Sequence, residues 1–394
     1  GNDTTSIFGQ CHTTGEKYLS KLRLNQSFKA EDFLKQYWQQ QPVVLRGLIS
    51  EFEDPIPAEE LAGLACEELL ESRLVNEFET GNWQLRHGPF VESDFTSLPG
   101  SNWTVLVQAV DQWFDEVAEI KNLFDFIPSW RVEDLMISYA TPGGGVGPHF
   151  DYYDVFLLQG QGQRRWQVGN RCAADSALRE NSELGILQNF EAVNEYLLNP
   201  GDVLYIPPRF AHWGTAISDS LCYSIGFRAP SVAEMMEGFS DFLIREQDPA
   251  SRYEDKPPQL PKRAGEIDPS QLDVSFQTLL DKFSDRTKFN HWFGCYVTQP
   301  KYPELIQPPE LAIVDHQELV KLGEQGLVLS KNPCSRFAFI ESKTESCVLL
   351  FVDGAMVRFE PQSLEAITSV CELSDFNPEA IKHLLKVTGI DELL

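Results

Sequence analysis

The stretch that decides the fold runs from Thr141 to Gly169, TPGGGVGPHFDYYDVFLLQGQGQRRWQVG. Its glycine-rich opening reads as a turn. It is followed by His149-Phe150-Asp151, the apolar run VFLLQG, a second Gly turn and RRWQVG. In extended chain, residues two apart point to the same face, so His149 and Asp151 aim an imidazole and a carboxylate into one space. Two ligands do not close a metal site. A third candidate is His212, in NPGDVLYIPPRFAHWGTA (Asn199–Ala216), after a short strand and a Pro-Pro turn. Two histidines and one carboxylate on one face of an octahedral ion leave positions open, the pattern of non-haem Fe(II) oxygenases.

Working outward, residues 134–229 contain a series of short apolar or alternating runs: LMISYA, VFLLQG, RRWQVG, DVLYIPP and LCYSIGFRA. Bounded by Gly and Pro turns, they predict an antiparallel sandwich or barrel. Before them, Ala58 to Leu74 has helical spacing of apolar residues. After Pro230, SVAEMMEGFSDFLIREQ predicts a helix, and another helical stretch spans about Gln271 to Phe293. Two Pro-rich segments, DKPPQLPKRAGEIDPS and TQPKYPELIQPPE, read as connectors. From Leu311 a helix, two strands and further helices are expected, with Asp353-Gly354 as a hairpin turn between CVLLFV and AMVRFE. The order suggests a small winged-helix-like domain.

Composition bounds the function. The chain has 394 residues, with 59 acidic against 32 basic side chains, a net charge of -27. Such a field repels phosphate backbones and favours basic partners. The segment from Leu311 carries 7 Lys plus Arg and 13 Asp plus Glu, so the tail is not expected to bind nucleic acid directly. The eight scattered cysteines form no CxxC pair, which favours reduced thiols in a cytoplasm over a disulfide framework or a cysteine zinc site. No apolar run is long enough for a membrane span, and no secretory signal pattern opens the chain. The Gly-rich turn lacks the GK[ST] of a P-loop, and Arg165 occupies the place of the third glycine in a dinucleotide fingerprint. These glycines are expected to make turns and admit a substrate backbone. Asp151 and Asp154, three apart, should face opposite sides. His12, His87, His291, His316 and His383 lack comparable context and read as structural or exposed.

In the second segment Gly201, Pro207 and His212 resemble the second cupin motif, with Arg209 where that motif usually has glycine. Residues 135–230 resemble JmjC hydroxylases. MISYATPGGGVGPHFDYYDVFLLQGQGQRRW and GDVLYIPP, with QQQPVVLRGLI, WRVEDLMISYA and SIGFRAPS, are very similar to the bacterial ribosomal oxygenases over at least residues 30–245. That resemblance implies an α+β protein: a double-stranded β-helix of the cupin/JmjC type over 1–230, a helical dimerisation region over 231–300 and a winged-helix-like domain over 301–394. It implies Fe(II) on His149, Asp151 and His212, with 2-oxoglutarate and dioxygen as cosubstrates. It places the distal carboxylate of 2-oxoglutarate on Arg164, helped by the hydroxyl of Ser138 if Tyr139 faces the other way. The substrate it implies is an arginine of a large-subunit ribosomal protein, and the assembly a homodimer. Tyr152, Tyr153 and Asp154 are the expected contacts to the guanidinium. The rival readings are a JmjC protein demethylase, a non-catalytic cupin and a DNA-binding regulator.

Overall fold

The computed structural model describes residues 8–13, 22–180, 183–254, 263–306 and 324–387, with the isolated positions 260, 317 and 321. It divides into two compact units, residues 16–229 and residues 1–15 with 230–394. The first strand, β1 (Phe8–Thr13), pairs antiparallel with Leu327–Lys331 and so belongs with the second unit. The sequence had grouped residues 1–15 with the barrel, but a strand that pairs 300 residues away leaves no local pattern to read.

The first unit is an antiparallel barrel flanked by helices. Its larger sheet has eight strands: β2 (Val43–Leu45), β3 (Ser72–Glu79), β4 (Asn82–His87), β5 (Trp103–Val107), β6 (Val132–Ala140), β7 (Val155–Gln159), β10 (Val203–Ile206) and β12 (Ser220–Phe227). Their order is β2-β10-β7-β12-β6-β5-β3-β4. The smaller sheet is β11 (Phe210–Ala216), β8 (Arg164–Arg171) and β9 (Asn194–Leu198), in that order.

Period-two alternation assigns the two faces. Phe156, Leu158, Tyr205, Leu221, Tyr223 and Ile225 point outward into a core completed by Phe33 of α1 (Ala30–Gln36), Leu61 of α2 (Ala58–Leu64) and Phe124. Val155, Leu157, Leu204, Ile206 and Cys222 point inward, against Trp166 and Val168 of β8. The run VFLLQ is therefore apolar without alternation because both of its faces are buried.

Two sequence expectations change. The helical pattern of 58–74 is cut short: α2 ends at Leu64, and Ser72–Leu74 already belong to β3. The Ala65 carbonyl is taken by the Ser72 hydroxyl at 3.0 Å and by the Phe90 N–H, and pairing with β4 and β5 overrides the local helix preference. The stretch 271–293 is two helices, Pro269–Phe283 and Arg286–Val297, because Asp285 caps the second through the Lys288 N–H. The helix expected from Leu311 falls almost wholly outside the described residues.

The second unit holds the helix Val232–Arg245, with a Ser231/Glu234 capping box, and the two helices just named. A three-stranded sheet follows: Phe337–Ser342, Cys347–Val352 and Ala355–Phe359. Its second hairpin turns at Asp353-Gly354, both at positive φ, as the sequence predicts. Helices Leu364–Glu372 and Pro378–Leu384 pack their Ile367, Val370 and Ile381 into its core. Among the described residues no helix is long and apolar enough to cross a membrane.

Asp154 is fully buried on the outward side of the barrel. It accepts from the Tyr205 hydroxyl at 2.6 Å, Gln39 Nε2 at 3.1 Å and Arg131 Nη2 at 3.2 Å. This corrects the expectation that Asp154 meets a substrate guanidinium, since its charge is already used to pin the α1 segment to the barrel. Replacing Asp154 by Ala strips the partner from a mostly buried arginine, and should lower unfolding stability by about 3 kcal/mol. Denaturant titration of the Asp154→Ala variant tests this. An unchanged midpoint would refute the structural role.

Candidate active site

His149 and His212 come together through the backbone. Each donates its N–H to the other's carbonyl, at 3.0 and 2.8 Å, in an isolated antiparallel bridge. His149 thus lies on a bridge rather than in a regular strand, while His212 lies in β11 beside a bulge at Phe210/His212. The Arg209 N–H donates to the Asp151 carbonyl at 2.6 Å, so the His149–Asp151 segment is tied to the His212 segment at both ends. Arg209 has φ of +69°, the left-handed conformation that the motif's usual glycine adopts freely. The departure from the motif keeps the turn and stores about 1 kcal/mol of strain.

The ligand-capable atoms of His149, Asp151 and His212 all lie within 4.8 Å of one another, and among the described residues no other such group of three occurs. His212 Nε2 is 3.6 Å and His149 Nε2 is 4.0 Å from Asp151 Oδ2. Both Nδ1 atoms sit 2.9 Å from backbone carbonyls, of Gly147 and Phe210. A carbonyl accepts only from N–H, so these contacts put the proton on Nδ1 and leave the Nε2 lone pairs facing Asp151. Burial, and then the neighbouring His149, pull the pKa of His212 down from 6.5 to about 4, which keeps it neutral and able to ligate at neutral pH. This donor set, two imidazole lone pairs and a carboxylate on one side, fits a divalent transition metal with open positions.

Arg164 begins β8 and is 6% exposed. Its Nη1 donates to Ser138 Oγ at 2.9 Å, and its Nη2 and Nε to Ser220 Oγ at 3.1 and 3.3 Å. The register question is answered: Ser138 faces Arg164, and Tyr139 packs on Trp103 on the other side. Arg165 is exposed, as alternation predicts. Ser220 was not singled out in the sequence. It lies 56 residues from Arg164, and its only signal is the alternation of SLCYSIGF.

A Cβ on Gly145 would fall 2.2 Å from the Gly214 carbonyl, and one on Gly144 2.2 Å from that of Trp103. The glycines admit the protein's own backbone, not a substrate's. His87 pairs with Glu183 at the surface, and His291 pairs with Glu345 within the second unit.

A JmjC domain model matches residues 119–235, and a ROXA-like winged-helix model matches residues 280–393. The ribosomal protein uL16 3-hydroxylase of Escherichia coli K12 is 42% identical over 281 residues, 71% of this chain and 74% of that protein. The chain belongs to the JmjC ribosomal oxygenase family. A probable ribosomal oxygenase of Haemophilus influenzae is 36% identical over 321 residues, 79% of each chain. The structure of the E. coli ribosomal oxygenase YcfD in complex with cobalt and 2-oxoglutarate matches with a TM-score of 0.77 and 32% identity, over 93% of this chain and 97% of that one. The double-stranded β-helix and winged helix of a ribosomal oxygenase are thus both present here.

The low pKa of His212 has a consequence in the metal-free ribosomal oxygenase. The unfolded chain binds the proton near pH 6.5 and the folded one only near 4, so this group's stabilisation is complete above about 6.5 and is lost as pH falls toward 4. His212→Gln should remove that part of the pH dependence. Denaturation midpoints of both proteins across this window check it, and parallel profiles would contradict it.

Proposed function

We propose that the chain is an Fe(II)- and 2-oxoglutarate-dependent oxygenase that hydroxylates an arginine side chain of a large-subunit ribosomal protein in the cytoplasm. The observation that carries this reading is a buried arginine, held by the hydroxyls of Ser138 and Ser220 and the Ser220 carbonyl with no carboxylate ion-paired to it among the described residues, on the same interior face as a His–Asp–His donor set. A buried cation without a carboxylate partner is costly, and a dicarboxylic cosubstrate supplies that partner.

His149 and His212 would hold the iron through Nε2, and Asp151 through its carboxylate. Bound iron supplies activation of dioxygen, coupling oxidative decarboxylation of 2-oxoglutarate to succinate and carbon dioxide with insertion of one oxygen atom into a C–H bond. Arg164 pairs with the distal carboxylate of 2-oxoglutarate, and Ser138 and Ser220 fix the plane of its guanidinium. The apolar walls Val155, Leu157, Leu204 and Ile206 keep water from the cosubstrate.

The acid suited to a substrate guanidinium is Asp134, not Asp154. It lies four residues before Ser138 on β6, hence on the same inward face, and is 3% exposed. Gln108 Nε2 reaches its two oxygens at 3.1 and 2.9 Å. Tyr152 and Tyr153, 58% and 42% exposed, stand beside Asp151 with ring faces able to cover a cation. The net charge of -27 suits a basic ribosomal substrate.

We assign residues 16–229 to catalysis, 230–300 to a helical region and 301–394, with the strand Phe8–Thr13 that pairs into it, to the winged-helix-like part, and we propose that the helical region makes a homodimer. Helix Pro269–Phe283 has no buried residue, yet exposes Leu272, Phe276, Leu279, Leu280 and Phe283 along one stripe. Phe276→Glu with Leu279→Glu should halve the mass measured by light scattering. A wild-type monomer would refute the dimer.

The activity test is the intact mass of ribosomal proteins after incubation with the protein, Fe(II), 2-oxoglutarate and air. One ribosomal protein should gain one oxygen, and His212→Ala should abolish the gain. Asp134→Asn should lower turnover by roughly tenfold or more while leaving 2-oxoglutarate affinity in place. Succinate release without any mass gain would overturn the ribosomal substrate, and no succinate would overturn the oxygenase reading.

A further inference from the structure

Asp134 stands at one end of a diagonal of polar side chains inside the barrel. On β3, Leu74 packs into the outer core, so its neighbour Arg73 points inward. Gln108 follows the last residue of β5 and continues its ladder, its N–H donating to the Glu71 carbonyl at 2.9 Å. Arg73 Nη2 donates to Gln108 Oε1 at 3.1 Å, and Gln108 Nε2 donates to both oxygens of Asp134, at 3.1 and 2.9 Å. Arg73 pairs with Leu106, and β5 pairs with β6, so each contact crosses one strand and moves two residues toward the same end. Long side chains span that diagonal in an antiparallel pair. The diagonal ends beside the proposed metal segment. Asp134 pairs with Gly226, and a Cβ on Gly226 would meet the Tyr153 ring at 3.9 Å.

The amide in the middle has one orientation that serves both neighbours. A guanidinium has donors alone, and a carboxylate has acceptors alone. Turned by 180°, the Gln108 amide would set donor against donor and acceptor against acceptor. Arg73 forms no ion pair among the described residues: its side-chain contacts are Gln108 Oε1 and the Met136 sulfur, at 3.4 Å. The backbone around Gln108 is pinned as well. Ala109 is 1% exposed and has φ of +53°, the left-handed region that an alanine seldom enters. Two residues on, Asp111 Oδ1 accepts the N–H of Leu135, the neighbour of Asp134, at 2.8 Å. The turn that carries Gln108 is thus joined to β6 right beside the acid.

We propose that Arg73 and Gln108 are positioning residues for the protein substrate: Arg73 fixes which way the Gln108 amide points, and Gln108 holds the Asp134 carboxylate for the incoming guanidinium. This rests on the reading above that Asp134 receives that guanidinium. Arg73 acts through the amide alone. With the amide between them, Arg73 and Asp134 do not form the two-pronged ion pair that would occupy the acid.

The test uses the full chain with Fe(II) and 2-oxoglutarate, and as substrate the ribosomal protein that gains oxygen in the mass assay. Gln108→Leu and Arg73→Met should each raise KM for that protein about tenfold, with kcat lowered far less, because a contact made equally in binding and reaction is read in KM. Calorimetry should give both variants the 2-oxoglutarate affinity of the wild type. Arg73→Lys keeps a donor for Gln108 Oε1 and should stay within about threefold of wild-type KM. The double variant should be no worse than Gln108→Leu alone, since Arg73 has nothing left to orient. An unchanged KM in either single variant overturns the proposal. So do effects that multiply in the double variant, which would make Arg73 act on its own, and a loss of 2-oxoglutarate affinity as large as the rise in KM, which would make the pair merely structural. If Asp134→Asn handles the substrate as the wild type does, or no ribosomal protein gains oxygen, the reading of the acid or of the barrel fails and this inference falls with it.

Discussion

The site depends on two backbone hydrogen bonds, those exchanged by His149 and His212. Regular sheet structure does not deliver His149, which leaves the Gly-rich turn in irregular chain. The bridge gives it the register of a strand residue at one point only. The bond from Arg209 to the Asp151 carbonyl then fixes the far end of the three-residue segment. With both ends held, the side chains of His149 and Asp151 share one side, as two-residue spacing requires. The left-handed backbone of Arg209 is what aims its N–H at that carbonyl. A local strain of about 1 kcal/mol is small beside the stability of a domain, so an arginine is tolerated in a glycine's place.

The two buried charges of the barrel show how stability and binding divide. Asp154 faces outward and is satisfied: a tyrosine hydroxyl, an amide and a guanidinium surround it. Arg164 faces inward and is held by serine oxygens, which orient it without cancelling its charge. Burial lowers its pKa, the sign of a cation kept from water. Removing an ion from water costs several kcal/mol. The fold bears that cost at Arg164 and offsets it at Asp154, so the first is placed to attract an anion and the second to join helix to sheet.

Much of this was legible, for a physical reason in each case. Turn residues bounded β6, β7, β8, β10 and β12, and alternation put Arg165 outward. The hairpin at Asp353-Gly354 followed from the φ that its turn demands. The histidine pair was legible because a strand, a Pro-Pro turn and a second strand leave little freedom around His212. What failed was long-range. Ser72 reads as the end of a helix until β4 and β5 claim it. Asp154 and Asp134 are both acids at barrel strands, and only the pairing of Gly226 with Asp134 and Val155 shows which residues face inward. Ser220 matters through a partner 56 residues away, and its own neighbourhood offers only the alternation of SLCYSIGF.

In the proposed reading, the smaller sheet is what positions the diacid. Opposed residues of β8 and β11 step along the barrel by about 7 Å per inward pair. The pairs Val168/His212, Trp166/Gly214 and Arg164/Ala216 occupy three successive steps of that ladder. Their spacing is set by backbone hydrogen bonds rather than by loop conformation, and such positions hold side chains more closely than loops do. The substrate side is built differently. Tyr152 and Tyr153 stand on irregular chain and are exposed, while Asp134 is fixed in β6. In the proposed reading, a rigid ladder holds the cosubstrate while a more open aromatic edge meets the protein substrate, so the two demands fall on different parts of the barrel.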